Sequence, residues 1–278
     1  MNRKKNTVNR KTLLFSVISG LCFAAVLAVI YLIASFALDK FNVVILAVSA
    51  VLGFIIGVIS DKIAYSLEKD RIAKIFEASG KIEITEGYDQ NYIAQLKHDL
   101  QKYPHLTAFY LSLAWAYVVN GDTEAAAEVL NGTEKSRFIQ NPDGAWFYYS
   151  LLVHLYEIQN DKEKIKEVYT EGLPYIKPYL NEPQARLACA IYEMACENYD
   201  KCIEIIGGKI AQSSLPAQQF AVICAYYKAV CMIKTGKTAE AENALSEISE
   251  YYSTDFYKHR VTELLTSLQE MKTNETIS

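Results

Sequence analysis

Cysteine and histidine are the residues whose spacing would reveal chemistry most directly. Cys189 and Cys196 stand seven positions apart, as do Cys224 and Cys231, which puts each pair on one face of a helix. Thiolates so placed can ligate zinc, but cysteine at an apolar helical position serves as a small hydrophobe, and that reading is favoured. His98, His105, His154 and His259 are isolated in sequence and form no ligand pattern. There is no glycine-rich phosphate loop, nucleophile elbow, HExxH helix or CxxC pair. The expectation is a protein that is not an enzyme and holds no cofactor and no metal. Cys22 follows Leu21 inside an apolar run, a poor setting for lipid attachment, and the six cysteines suggest no disulfide framework.

Tyrosine offers a different chemistry, contact with another protein. The chain has 20 of them, with adjacent pairs at Tyr148-Tyr149, Tyr226-Tyr227 and Tyr251-Tyr252. Aromatic rings give a large contact area with a polar tip, and equally fill gaps between packed helices. Charge narrows the partner. The chain carries a formal −4, residues 1–12 carry +5, and Asp39 and Lys40 cancel, so the part from Asp61 onward holds −9. Nucleic acid needs a basic face, so a protein or peptide is the expected partner.

Two apolar runs position everything else. No charged side chain occurs between Lys11 and Asp39, nor from Phe41 to Ser60. Each run is long enough to cross a bilayer core of about 30 Å as a helix, so the sequence predicts a transmembrane hairpin over 13–60, with spans at about 13–38 and 41–60. The basic tail, residues 1–12, favours the cytoplasmic side, which places both termini of an integral cell-membrane protein in the cytoplasm. A cleaved signal ending near Ser35 and Ala37 is the competing reading, and the run is long for a signal core. Small residues recur every fourth position at Ser16, Gly20, Ala24 and Ala28, and again at Ser49, Gly53 and Gly57. Small residues permit close backbone approach in lipid, so these stripes are read as the packing faces of the two spans, with dimerisation between chains as the alternative.

Residues 61–103 read as an amphipathic linker helix carrying Ile63, Leu67, Ile72, Ile75 and Phe76, a break over Gly80–Gly87, and a helix from Asp89 to Lys102. Beyond Pro104 the chain repeats itself. Thr107–Leu130, Trp146–Leu173, Gln184–Ile206 and Phe220–Leu245 each read as two helices about a turn, with turns near 121, 160, 197 and 236. A last helix begins near Ser253 or Thr254, whose hydroxyls suit an N-cap. Its stripe of Tyr257, Val261, Leu264, Leu265 and Leu268 suits a cap on a stack, and Lys272–Ser278 reads as a frayed tail.

Leu113, Ala114, Tyr117, Gly121, Ala126 and Leu130 follow the large, small, aromatic, glycine, alanine series of the tetratricopeptide repeat family, which this segment resembles. Tyr156, Ile165 and Tyr169 keep the register in the second copy; the third and fourth are looser, with Cys202 and Ala241 at the small position. The likeness covers about 107–250, at a period longer than the family's usual 34 residues. Together with the two apolar runs it gives an all-α chain: a two-helix transmembrane hairpin followed by what the resemblance implies, a TPR-like α-solenoid over 104–278 of the membrane-anchored bacterial type. In that register the inner face presents Trp115, His154, Ile191 and Tyr226 as a partner groove. It lacks the Lys and Asn cluster with which some members hold a C-terminal carboxylate. The resulting expectation is a membrane-anchored scaffold or adaptor for protein-protein interaction at the cytoplasmic face. The alternative is a structural subunit or assembly factor of a larger membrane complex.

Overall fold

The computed structural model describes residues 4–37, 43–207 and 214–277. Among them every regular element is helical, as thirteen α-helices and one short 3-10 helix. The chain divides into two compact units, residues 1–77 and 78–278.

In the first unit α1 (Lys4–Ala37) and the start of α2 (Val43–Glu86) run without a helix breaker, since the first proline is Pro104. Ile18–Phe36, 19 residues, is long and apolar enough to cross a membrane, whereas the described apolar part of α2 is the shorter Ala47–Ser60. The turn expected at 38–42 lies outside the described residues. Leu21, Val26, Ile33, Phe36, Val51 and Ile59 point outward, Phe36 at 90% exposure. An apolar surface of that kind calls for an apolar environment.

The second unit opens on the last turns of α2. The break expected over Gly80–Gly87 is corrected: Gly80 is helical, and α2 stops at Glu86, where Gly87 takes φ +74° and donates its N–H to the Glu83 carbonyl at 2.9 Å. One glycine inside a helix costs only about 1 kcal/mol, too little by itself to end it. Asp89 then caps α3 (Gln90–Lys102), accepting the Tyr92 N–H at 2.9 Å.

Four helix pairs follow: α4 (Thr107–Val119) with α5 (Thr123–Asn131), α7 (Pro142–Ile158) with α8 (Lys162–Ile176), α9 (Pro183–Ala195) with α10 (Tyr199–Ile206), and α11 (Leu215–Lys234) with α12 (Thr238–Glu247). All four first helices end identically. Gly121, Asn160, Glu197 and Gly236 take φ of +80°, +56°, +64° and +77°. The next residue's N–H returns to the carbonyl five positions back: Asp122 to Tyr117, Asp161 to Tyr156, Asn198 to Glu193 and Lys237 to Met232, at 2.8–3.0 Å. This left-handed cap satisfies orphan carbonyls and reverses the chain within two residues. Each first helix touches the next, and α8 also meets α9.

The surplus length between pairs is itself structured. A one-turn helix, α6 (Lys135–Ile139), buries Phe138, which stacks on Tyr148 at 4.9 Å. The 3-10 helix, Lys177–Tyr179, lays Tyr179 on Trp146 at 5.2 Å. The final helix α13 (Asp255–Ile277) touches α11 and α12. The frayed tail expected at Lys272–Ser278 is corrected as far as Ile277, because no glycine or proline interrupts α13. The expected hydroxyl cap is corrected too: Thr254 Oγ1 donates to the Val119 carbonyl of α4 at 2.6 Å, drawn away from its own helix by an orphan acceptor.

Candidate functional site: the inner face of the helix pairs

Trp115 of α4, His154 of α7 and Tyr226 of α11 come together on one side of the pairs; Ile191 of α9 is fully buried in its helix packing. The indole of Trp115 sees the rings of Tyr88, Phe147, His154 and Phe220, the nearest being His154 at 5.5 Å between centroids. Trp115 and His154 are 4% and 1% exposed. Of the four side chains read as a partner groove, Trp115, His154 and Ile191 are buried and Tyr226 is half-buried.

At the His154 end the neighbours come from the chain's own C-terminal helix. Tyr257 of α13 is fully buried, with its hydroxyl 2.6 Å from His154 Nε2 and 3.1 Å from the Tyr227 hydroxyl. Arg260, one turn on, sends Nη2 to Glu157 Oε1 at 3.3 Å and Nη1 to Oε2 at 3.4 Å, while its guanidinium lies 4.4 Å above the Tyr226 ring. Tyr227 also donates its hydroxyl to Glu157. Before α13, Tyr252 donates its hydroxyl to the Glu86 carbonyl at 2.7 Å and its N–H to Gln218 at 3.1 Å. Gln219 accepts the Tyr88 N–H at 3.2 Å.

The proton arrangement follows from the donor inventory. Glu157 faces a guanidinium and a phenol, so as a carboxylate it accepts from both. Tyr227 has then used its one hydrogen, and it can only accept from Tyr257. Tyr257 in turn must accept from Nε2–H of a neutral His154, leaving Nδ1, which is buried with no partner, as an unused acceptor. Burial drives the His154 imidazole down to about 3, with Arg260 adding to the effect, so the neutral form is the one present at ordinary pH. Burial raises the Glu157 carboxyl, opposed by Arg260 and by the Tyr227 hydroxyl. The cluster holds the Arg260 guanidinium and the Tyr257 ring.

The remaining chemistry-bearing residues lie apart. His98 and His105 are exposed, and His259 pairs with Glu263 at 3.1 Å on the surface. Among the described residues no three His, Cys, Asp or Glu side chains are disposed to hold a metal. Cys231 meets Cys202 across the α10–α11 contact, Sγ to Sγ 3.0 Å, a juxtaposition that spacing within one helix does not reveal. Sequence reasoning also missed Glu157 and Arg260: they stand 103 positions apart, and each alone looks like an ordinary surface charge.

In the first unit the packing residues are placed as follows. A Cβ on Gly57 would sit 2.7 Å from the Gly20 Cα, and one on Gly53 2.9 Å from the Ala24 Cα. Ser19 donates its hydroxyl to the Gly57 carbonyl at 3.4 Å. Ala28 and Ser49 are half-buried, and the Ser16 side chain lies outside the described residues. No protein-family model, no curated protein and no solved structure matches the chain.

Proposed function

We propose that the chain is a membrane-anchored scaffold in which a two-span hairpin holds a tetratricopeptide-like solenoid at the cytoplasmic face to bind a protein segment. The observation carrying this reading is the fourfold recurrence of one helix pair closed by one backbone cap. Repetition of a unit that cannot bury its apolar face alone produces a stack, and stacks of helical hairpins serve as extended protein-binding surfaces. Ile18–Phe36 and the outward apolar residues of α1 and α2 supply the anchor, which raises the local concentration of membrane-bound partners. The net −9 beyond Asp61 supports a protein ligand over nucleic acid.

Protease treatment of sealed vesicles of opposite orientation tests the placement. Residues 78–278 should be digested only where the cytoplasmic side faces out; digestion from the other side refutes the topology. The alternative, a structural subunit of a membrane complex, draws support from the burial of Trp115, His154 and Ile191. Val29→Ala with Ile33→Ala, both on the outward apolar face of α1, separates the two. A subunit held by that face should lose its complex, whereas an anchored scaffold should keep its partner.

A further inference from the structure

The way the inner face is filled indicates what it holds. Tyr257 and Arg260 stand three residues apart on one side of α13, and the residues that receive them come from different helix pairs: His154 and Glu157 from α7, Tyr226 and Tyr227 from α11. Two features select arginine. The carboxylate accepts from both terminal nitrogens while the guanidinium carbon stands 4.4 Å over the Tyr226 ring, and a lysine ammonium cannot make the two-nitrogen pairing. The helix that supplies them packs by one face. Along α13 Tyr257, Val261 and Leu268 are buried and Phe256, Arg260, Leu264 and Leu265 half-buried, while Lys258, His259, Thr262, Glu263, Thr266 and Ser267 stay exposed. A terminal helix packed by one face opens at a lower free energy than the body of a fold.

We infer that the inner face is a binding site for an amphipathic helix bearing an aromatic residue and, three positions later, an arginine, with Tyr257 and Arg260 of α13 as the internal ligand that such a helix displaces. The inference rests on the reading of the repeats as a protein-binding array. Exchange of like for like leaves the Glu157 carboxylate paired both before and after, so its buried charge does not favour one end state over the other. An internal ligand acts at millimolar effective concentration, so a free helix competes poorly and one delivered to the same membrane competes well.

The test uses the full chain in lipid nanodiscs and, as probe, a fluorescein-labelled synthetic peptide of residues 253–271. Arg260→Ala frees the site, so the peptide should bind this variant at least tenfold tighter than wild type. Adding Glu157→Gln, or replacing the peptide's arginine by lysine, should reverse that gain. Equal binding to wild type and Arg260→Ala, or indifference to Glu157→Gln, overturns the inference. Hydrogen exchange on wild type guards against a misfolded variant: residues 255–268 should open while α4, α7 and α11 stay protected. Exchange of α13 only together with those helices makes it a fixed part of the core and also overturns it, leaving the scaffold reading to another face. If the peptide binds as described yet no membrane protein bearing such a helix crosslinks to the chain in cells, the site stands and the scaffold reading falls.

Discussion

The Glu157–Arg260 pair is where single side chains decide most. Their side chains are 10% and 20% exposed, so removing one partner leaves a nearly buried charge without compensation. Arg260→Ala should cost about 3 kcal/mol in urea unfolding, and adding Glu157→Gln should restore part of it, because the charge left alone does the damage. His154 gives a second residue-level prediction. Its folded value near 3 lies below the ordinary 6.5, so between these pH values the unfolded chain takes a proton that the folded chain refuses. Stability is therefore complete above about pH 6.5 and declines on acidification by about 1.4 kcal/mol per pH unit. Tyr257 and Tyr227 meet the ring and the Arg260 charge acts on it, while the raised Glu157 works in the opposite sense. The difference between wild type and His154→Gln isolates the effect: from pH 6.5 to 5.5 the variant should lose about 1 kcal/mol less. Burial also drives the Cys224 thiol up to about 12, and Cys202 upward through its Cys231 partner and burial. A thiol reagent added to the folded chain should label Cys189 and Cys196 well before either.

At the scale of elements, the shared cap is the feature to perturb. Glu197 holds φ +64°, a region that suits glycine, and its side chain makes only an exposed pair with Lys162 at 3.3 Å. Glu197→Gly should therefore stabilise by about 0.5–1 kcal/mol, read as an upward shift in melting temperature. Gly121→Ala should do the reverse by more than about 1 kcal/mol, since its φ is +80° and a Cβ would strike the Phe256 ring. Helix pairs were legible because Asn120-Gly121-Asp122 and Gly236-Lys237 punctuate apolar runs. α6 was not, since five residues give no periodicity and their place depends on Phe138 reaching Tyr148. Nor was Gly172, where a Cβ would come within 2.5 Å of the Tyr149 Cβ and which sets how closely α8 meets α7.

For the whole molecule, the division after Glu77 predicts separable behaviour. A fragment of residues 78–278 should keep its helical circular dichroism, melt cooperatively and enter the aqueous phase of a detergent partition, while the full chain enters the detergent phase. A fragment that precipitates or melts without a transition would mean that the second unit depends on the first.

Local pattern was enough to foresee an all-helical chain, the long apolar first helix and the positions of four reversals, because apolar period, charge spacing and turn chemistry act over a few residues. The fate of the inner face was of another kind. Whether His154 meets a partner or its own chain depends on α13 turning inward, on Thr254 finding the Val119 carbonyl, and on Arg260 finding a carboxylate 103 positions earlier. Those are contacts between distant parts of the chain, and their energies exist only once the helices have packed.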